Sequence, residues 1–117
     1  MAILDKNEKI PSMTDKLFVY GSLKDPEVQQ LFMGRIIKGT PNTISGYTLS
    51  TIDYGLETFP VLIPDGLNKQ KINGLVLELS SEEIQVIDNY EGEEYVRIQA
   101  TLADNTKAWV YVSAILP

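Results

Sequence analysis

Two segments, about seventy residues apart, carry the residues of this 117-residue chain that could do chemistry together. The first, Leu17–Leu23, predicts a buried strand that ends at a glycine-containing loop. The second, Asp88–Arg97, predicts the end of a helix followed by a strand. The loop offers backbone N–H donors and the helix end offers a carboxylate. Together they meet the needs of acyl transfer without a metal or a nucleophilic side chain.

Glu91 is the candidate general base. It shares a predicted helix face with Ile84 and Ile87, because seven residues make nearly two turns. In a pocket, burial and the negative end of the helix dipole would raise the pKa of this carboxyl group and favour proton transfer. The alternative is an exposed helix-end glutamate in the company of Glu93 and Glu94.

The loop Tyr20-Gly21-Ser22-Leu23 is the candidate binding segment. A strand followed within a few residues by a helix directs several N–H groups one way, which suits a carboxylate or an oxyanion. Gly21 would let the backbone approach a ligand closely. The alternative is an ordinary strand-to-helix turn. A Ser22–Lys24 dyad is a remote possibility, since no histidine is present to activate the serine.

Three charged or aromatic side chains near the predicted base have competing interpretations. Tyr95 and Arg97 share a strand face, and Arg97 could hold a substrate carboxylate or pair with an acidic side chain. The alternative is a surface salt bridge of Arg97 with residues 93–94. Asp88 precedes Glu91 by three residues, which on a helix is too close for the acid and base of a glycosidase.

Several classes of function are excluded by composition. The chain has no cysteine and no histidine, which removes cysteine nucleophiles, Ser-His-Asp triads and ordinary zinc sites. We therefore expect no metal site of that kind. The net charge of −6 and the presence of only two arginines argue against nucleic acid and anionic membranes as partners.

The chain is expected to be cytoplasmic. It has no cysteine and no recognisable signal peptide, and its first apolar run, Ala2–Leu4, ends at Asp5. No segment approaches the length of a membrane span. The length fits one domain, which we place at residues 16–117 after a flexible arm at residues 1–15.

Two helices are predicted. The first begins at Asp25-Pro26-Glu27, ends at Gly34 and would bury an apolar stripe of Val28, Leu31 and Phe32. The second begins at a capping box of Ser80 and Glu83 and ends at Gly92.

Strands account for most of the remaining chain. The apolar run Leu17–Tyr20 predicts a central strand covered on both faces. The other candidates are a weak strand at Arg35–Lys38, a strand at Ile44–Ile52 and an edge strand at Phe59–Pro64. A further strand is predicted at Ile72–Leu79, where Gly74 indicates a bulge or a close approach of another backbone. The last two strands, Tyr95–Leu102 and Ala108–Val112, are predicted to form a hairpin. In the hairpin, Trp109 and Tyr111 are interpreted as packing residues. This order predicts an α+β fold with a mixed sheet curled into a small β-barrel, and argues against a doubly wound nucleotide fold.

The same segments carry a family resemblance. The chain resembles the γ-glutamylcyclotransferase-like superfamily, in particular its small AIG2-like and γ-glutamylamine cyclotransferase branch, over about residues 16–113. The matching segments, in order, are Phe18–Leu23, Phe59-Pro60, Ile72–Val76, Asp88–Gly92, Tyr95–Arg97 and Ala108–Tyr111. The family often has Tyr-Pro where this chain has Phe59-Pro60, and loss of that hydroxyl group could alter substrate choice.

The resemblance implies a mixed α+β barrel with a cavity at its mouth and a cofactor-free enzyme acting on a γ-glutamyl amide. It implies that Glu91 is the catalytic acid and base. It implies that Tyr20, Gly21, Ser22, Leu23 and Tyr95 bind the substrate. The products would be 5-oxoproline and a free amine or amino acid.

Two alternatives remain at this point. The substrate could be a glutathione-derived peptide, a γ-glutamyl amino acid or a γ-glutamylated biosynthetic intermediate. The domain could instead be a non-catalytic binding module on the same scaffold, although such a module has no need of the Glu91 carboxylate.

Overall fold

A computed structural model describes residues 14–114, which form seven strands, two α-helices and one short 3₁₀-helix. The strands are β1 (Asp15–Val19), β2 (Thr40–Ile44), β3 (Tyr47–Tyr54), β4 (Glu57–Pro64), β5 (Ile72–Leu79), β6 (Tyr95–Thr101) and β7 (Lys107–Ser113). The helices are the 3₁₀-helix Ser22–Lys24, α1 (Pro26–Met33) and α2 (Ser81–Glu91). Most of the predicted arm lies outside the described residues, but its last residue, Asp15, already pairs with Leu79 of β5. Within this range, neither α-helix has the length and apolar character needed to cross a bilayer.

Five strands form one mixed sheet in the order β2-β5-β1-β7-β6. Strand β1 pairs antiparallel with β5 and parallel with β7, and β6 and β7 form the predicted hairpin. The α+β class and the mixed sheet are therefore confirmed.

Among residues 14–114 the strands form two sheets. Strands β3 and β4 form a separate two-stranded sheet, and between residues 14 and 114 no ladder joins it to the larger sheet. Strand β4 lies against β7 without pairing with it. Because Pro60 and Pro64 lack N–H groups, β4 is poorly equipped to extend a ladder, as the prediction of an edge strand anticipated.

Strand β1 is buried on both faces, as predicted. Leu17 and Val19 pack towards the helices, while Phe18 points to the opposite side. Close packing around β1 also explains Gly74 on β5. A Cβ atom at Gly74 would lie 2.5 Å from both the Phe18 ring and the Val19 carbonyl oxygen, so only glycine fits this close approach.

The predicted helix boundaries are confirmed by their caps. The Asp25 Oδ1 atom accepts the Glu27 N–H at 2.9 Å, and Gly34 ends α1 in the left-handed region with φ 72°. Helix α2 begins with the reciprocal hydrogen bonds of a capping box between Ser80 and Glu83. Helix α2 ends at Glu91, because Gly92 follows with a φ of 76° and its N–H donates to the Asp88 carbonyl.

The predicted strand at Ile44–Ile52 is two strands. Gly46 adopts φ 89°, a value that breaks an extended run, so β2 ends at Ile44 and β3 begins at Tyr47. Asn68 and Asp65 hold this corner, because the Gly46 N–H donates to the Asn68 carbonyl and the Asp65 N–H donates to the Gly46 carbonyl.

Two further expectations about the first helical region are wrong. Residues 35–38 form no strand. Leu31, predicted to be buried in the α1 stripe, is 76% exposed, whereas the buried residue of α1 is Gln29.

Gln29 is almost fully buried and joins three segments of the chain. Its Nε2 atom donates to the Leu23 carbonyl at 2.9 Å, and its Oε1 atom accepts the Ile37 N–H at 2.8 Å. Both ends of the amide are thus used, which satisfies backbone groups that neither a helix nor a strand satisfies. The bond to the Leu23 carbonyl fixes the loop after β1. The bond from the Ile37 N–H satisfies a backbone group of residues 35–38, which form no strand.

Replacing Gln29 with alanine is expected to lower the free energy of unfolding by about 2–4 kcal/mol, because two buried backbone groups lose their partners. Chemical denaturation measures this change. Gln30→Ala is the matched control, since Gln30 is its exposed helical neighbour. Equal losses of stability in Gln29→Ala and Gln30→Ala would contradict the role of Gln29 as a buried hydrogen-bonding residue.

Candidate active site

A cavity of about 370 Å³ opens where the loop after β1, the end of α2 and strands β4, β6 and β7 meet. Its size is in the range of small-molecule sites. It is lined by Phe18, Val19, Tyr20, Gly21, Ser22, Leu23, Glu57, Phe59, Pro60, Tyr90, Glu91, Tyr95 and Tyr111. All six residues singled out from the sequence, namely Glu91, Tyr95 and the four loop residues, lie in this lining. Their roles remain predictions.

Glu91 is the last residue of α2 and is half-buried in the cavity wall. Burial, and then the negative charge of Asp88, raise the pKa of its carboxyl group to about 7. At neutral pH this group therefore exists in both protonation states. A carboxyl group with this property can accept a proton and return it within one reaction cycle.

Asp88 lies one turn before Glu91 and joins α2 to β6 and β7. Its Oδ1 atom accepts the Tyr111 hydroxyl at 2.6 Å, and its two oxygens accept Arg97 Nε and Nη2, each at 3.0 Å. The Arg97 guanidinium also stacks on Trp109, 4.3 Å from the ring centroid. Burial raises the pKa of Asp88, but the hydrogen bonds from Arg97 and Tyr111 outweigh it, so the net pKa is lowered and Asp88 stays charged.

This network settles the competing interpretations of Arg97. The guanidinium pairs with an acidic side chain, that of Asp88, which is one of the interpretations given from the sequence. Arg97 is also absent from the cavity lining.

Tyr111 is one of the cavity-lining residues that the sequence interpretation did not assign to the site. It was assigned to packing, and it is indeed buried, but its ring also lines the cavity. Its carbonyl accepts the Tyr20 hydroxyl at 2.6 Å while its own hydroxyl donates to Asp88. Tyr111 therefore links the loop to the helix that carries Glu91. The alternating pattern of β7 predicted that Tyr111 shares a face with Trp109, but it did not indicate hydrogen bonds to Tyr20 and Asp88.

The hydroxyl groups of the two predicted binding tyrosines are engaged by the protein itself. Tyr20 donates to Tyr111 and accepts the Leu62 N–H at 3.3 Å, and Tyr95 donates to the Pro60 carbonyl at 2.7 Å. Burial, the largest cause, raises the pKa of Tyr20, which stays protonated at neutral pH. Both tyrosines thus present their rings to the cavity and hold the β3–β4 hairpin against the sheet.

The loop itself is a single 3₁₀ turn, closed by hydrogen bonds from the Lys24 N–H to the Gly21 carbonyl and from the Asp25 N–H to the Ser22 carbonyl. Among residues 14–114, the N–H groups of Gly21, Ser22 and Leu23 have no acceptor. These are the donors that the sequence suggested for a carboxylate or an oxyanion. A Cβ atom at Gly21 would lie 3.0 Å from Pro60 Cγ, so this glycine sets the gap between loop and hairpin.

In the described part of the chain, no three acidic side chains come together in a group able to hold a metal ion. Among residues 14–114, the charged groups that line the cavity are the carboxylates of Glu57 and Glu91.

Replacing Asp88 with asparagine is expected to lower the pKa of Glu91, because a nearby negative charge is removed while burial remains. Carbon-detected NMR titration of the Glu91 carboxyl group measures the shift. Asp65→Asn is the control, since Asp65 is an acidic residue outside the cavity lining. An unchanged titration midpoint in Asp88→Asn would show that burial alone sets the pKa.

A mixed sheet with two helices, and a cavity that joins the Glu91 carboxylate to the loop after β1, define a class of small α+β proteins. Residues 17–115 match the family described as gamma-glutamyl cyclotransferase, AIG2-like. The chain belongs to this family.

Individual comparisons agree with this assignment. AIG2-like protein C of Arabidopsis thaliana is 32% identical over 94 residues, which is 78% of this chain and 52% of that protein. A solution structure of an Arabidopsis thaliana protein superposes with a TM-score of 0.73 at 26% identity, covering 87% of this chain and 70% of the other. A structure named gamma-glutamyl cyclotransferase shares the fold, with a TM-score of 0.71 at 14% identity over 86% of this chain and 67% of its own. The chain spans about half the length of the curated relatives that it matches, between 46% and 59%.

Proposed function

We propose that this domain is a γ-glutamyl cyclotransferase, which cleaves a γ-glutamyl amide into 5-oxoproline and a free amine or amino acid. The observation that carries the proposal is the half-buried Glu91 carboxyl group, with a pKa of about 7, in a cavity beside a loop whose N–H groups have no acceptor among residues 14–114. Family membership supports the same reaction class.

The substrate brings its own nucleophile. Its α-amino nitrogen attacks the γ-carbonyl carbon and forms the C–N bond of a five-membered ring, while the original amide C–N bond breaks. The α-ammonium nitrogen loses two protons as it becomes the amide N–H of the ring. Glu91 accepts these protons in turn and donates both to the leaving nitrogen, which departs as an ammonium ion. Atoms and charge balance without a metal, a cofactor or a nucleophilic side chain.

The loop N–H groups of Gly21, Ser22 and Leu23 bind the substrate's α-carboxylate or the developing oxyanion in this proposal. Removal of one such oxyanion donor in other enzymes costs about 2.7–4 kcal/mol of barrier. The rings of Tyr20 and Tyr95 confine the flexible γ-glutamyl chain to the folded conformer in which the amine reaches the carbonyl.

The experiment that tests the proposal is 5-oxoproline release from a panel of γ-glutamyl amines, γ-glutamyl amino acids and glutathione. We expect release from at least one member, with kcat/KM rising as Glu91 ionises near pH 7. A folded protein that releases 5-oxoproline from no member and binds none of them would overturn the proposal. Binding of a member without release would instead support the non-catalytic module.

A further inference from the structure

We propose that a second depression of the molecule, lined by Lys24 and Lys71, is a binding site for a small polyanion that carries carboxylate or phosphate groups. The depression has a volume of about 370 Å³. Among residues 14–114, Tyr20 is the one residue that it shares with the candidate active cavity. Lys24 ends the 3₁₀-helix after β1, and Lys71 directly precedes β5. The inference goes beyond the proposed reaction, because it concerns a different set of side chains.

The charged groups of this lining are positive. Between residues 14 and 114, two lysines and no acidic residue line the depression. The chain as a whole has 16 acidic and ten basic residues, so a depression with this lining runs against its net charge of −6. The attraction between charges is strongest at short distance, and an anion in the depression would meet the two ammonium groups first.

The two ammonium groups have no partner within the described residues. Both arginines of the chain are paired with carboxylates. In contrast, between residues 14 and 114 neither Lys24 Nζ nor Lys71 Nζ forms an ion pair or a hydrogen bond. Two like charges that line one depression repel each other, and a bound dianion or trianion would attract both.

Neutral hydrogen-bond donors complete the lining. The side chains of Tyr47, Gln70 and Asn73 line the depression, and none of the three has a hydrogen-bond partner in the described part of the chain. Burial raises the pKa of Tyr47, so its hydroxyl group keeps its proton at neutral pH and can donate it in a hydrogen bond. Ammonium, amide and phenol donors together suit the oxygen atoms of a carboxylate or a phosphate.

One wall of the depression is held by a hydrogen-bonded corner between β4 and β5. Asn68 Nδ2 donates to Thr48 Oγ1 at 3.1 Å, and Asn68 Oδ1 accepts the Gln70 N–H at 2.9 Å. The Thr48 hydroxyl donates to Asp65 Oδ2 at 3.0 Å, and Asp65 itself does not line the depression. The segment before β5 therefore has a fixed backbone, which lowers the entropy that a ligand must overcome on binding.

Titration of the full chain with citrate, pyrophosphate or acetate tests the site. Citrate and pyrophosphate carry several negative charges at neutral pH, whereas acetate carries one. At constant ionic strength, we expect at least one of the two polyanions to shift the side-chain amide NMR signals of Gln70 and Asn73. We expect it to bind about fivefold more tightly than acetate, the upper size of one further exposed ion pair. The polyanion that binds more tightly identifies carboxylate or phosphate as the preferred group.

Lysine variants connect the binding to the depression. Lys24→Gln and Lys71→Gln are each expected to weaken binding of the tighter polyanion about fivefold. Lys69→Gln is the matched control, because it removes the same charge from an exposed position of the same segment that does not line the depression. Its affinity is expected to equal that of the wild type. Equal weakening in Lys69→Gln and Lys71→Gln would show attraction to surface charge alone and would overturn the inference.

Gly21→Val separates this site from the candidate active cavity. The loop N–H groups of the cavity could themselves attract an anion, in which case Gly21→Val would weaken binding and Lys71→Gln would not. That result, or binding of both polyanions no tighter than that of acetate, would overturn the inference. Binding that depends on both Lys24 and Lys71 supports it whether or not the protein releases 5-oxoproline, so this inference and the proposed function fail independently.

Discussion

Glu91→Gln is expected to lower 5-oxoproline release by about 10²–10⁴-fold while leaving the fold intact, the range by which general acid–base groups accelerate reactions. Glutamine keeps the size and polarity of the side chain but can neither accept nor donate the transferred proton. Single-turnover kinetics on the best substrate of the panel measures the loss. Glu82→Gln, an exposed change on the same helix, is the control.

The stability of Glu91→Gln supplies an independent check of the site. The native pKa of about 7 lies above the ordinary value of 4.5, so between these pH values the folded protein binds more protons than the unfolded chain. Wild-type stability therefore falls as pH rises across this window, and the glutamine variant escapes that loss. We expect Glu91→Gln to be more stable than wild type at pH 8, and this advantage to disappear below about pH 4.5.

These two readouts distinguish a catalytic role from a structural one. A variant that keeps near-normal turnover removes Glu91 from the mechanism, whatever its stability. A variant that loses turnover together with its folded signal in circular dichroism reports on folding and not on chemistry.

Gly21→Val is expected to weaken binding of 5-oxoproline about tenfold or more, which corresponds to about 1.4 kcal/mol. The Cβ atom would already lie 3.0 Å from Pro60 Cγ, and the two methyl groups of valine extend further. Pro60 is held in place because its carbonyl accepts the Tyr95 hydroxyl. The loop must therefore shift, which moves its N–H groups away from the ligand, and overpacking of this kind costs about 1–3 kcal/mol.

Gly66→Val is the matched control for this change. Gly66 lies in a turn where an added Cβ atom would have no neighbouring atom within 4 Å, and its backbone has no requirement for positive φ. This variant is expected to bind 5-oxoproline as the wild type does, measured by calorimetry under the same conditions. Undiminished affinity in Gly21→Val would count against the loop as the binding site.

The features predicted correctly from the sequence are those decided by neighbours along the chain. Asp25 caps its own helix two residues on, and Ser80 and Glu83 satisfy each other across one turn. The β6–β7 hairpin joins segments separated by a short turn. Such interactions depend on short spacings, which a sequence displays directly.

The predictions that were wrong depend on partners far away in the chain. Leu31 is exposed because Gln29 instead turns inward to backbone groups of Leu23 and Ile37, and no periodic pattern encodes that choice. The division of the strands into two sheets is also a long-range outcome, because β4 packs against β7 and no strand ladder joins them between residues 14 and 114. Buried backbone groups can be satisfied by several different partners, and the partner that each group takes is decided only when the whole chain has folded.

The same distinction between local and long-range information applies to the candidate site. Residue types and the order of segments were enough to single out Glu91 and the Tyr20–Leu23 loop as one candidate centre, since a carboxylate on an apolar helix face and a glycine after a buried strand are visible as patterns. Tertiary structure alone decided that Glu91 lies in a cavity whose burial, with Asp88, raises its pKa, and that Tyr111 connects helix and loop. A pKa depends on burial and on charges within a few ångströms, and those distances exist only once the chain has folded.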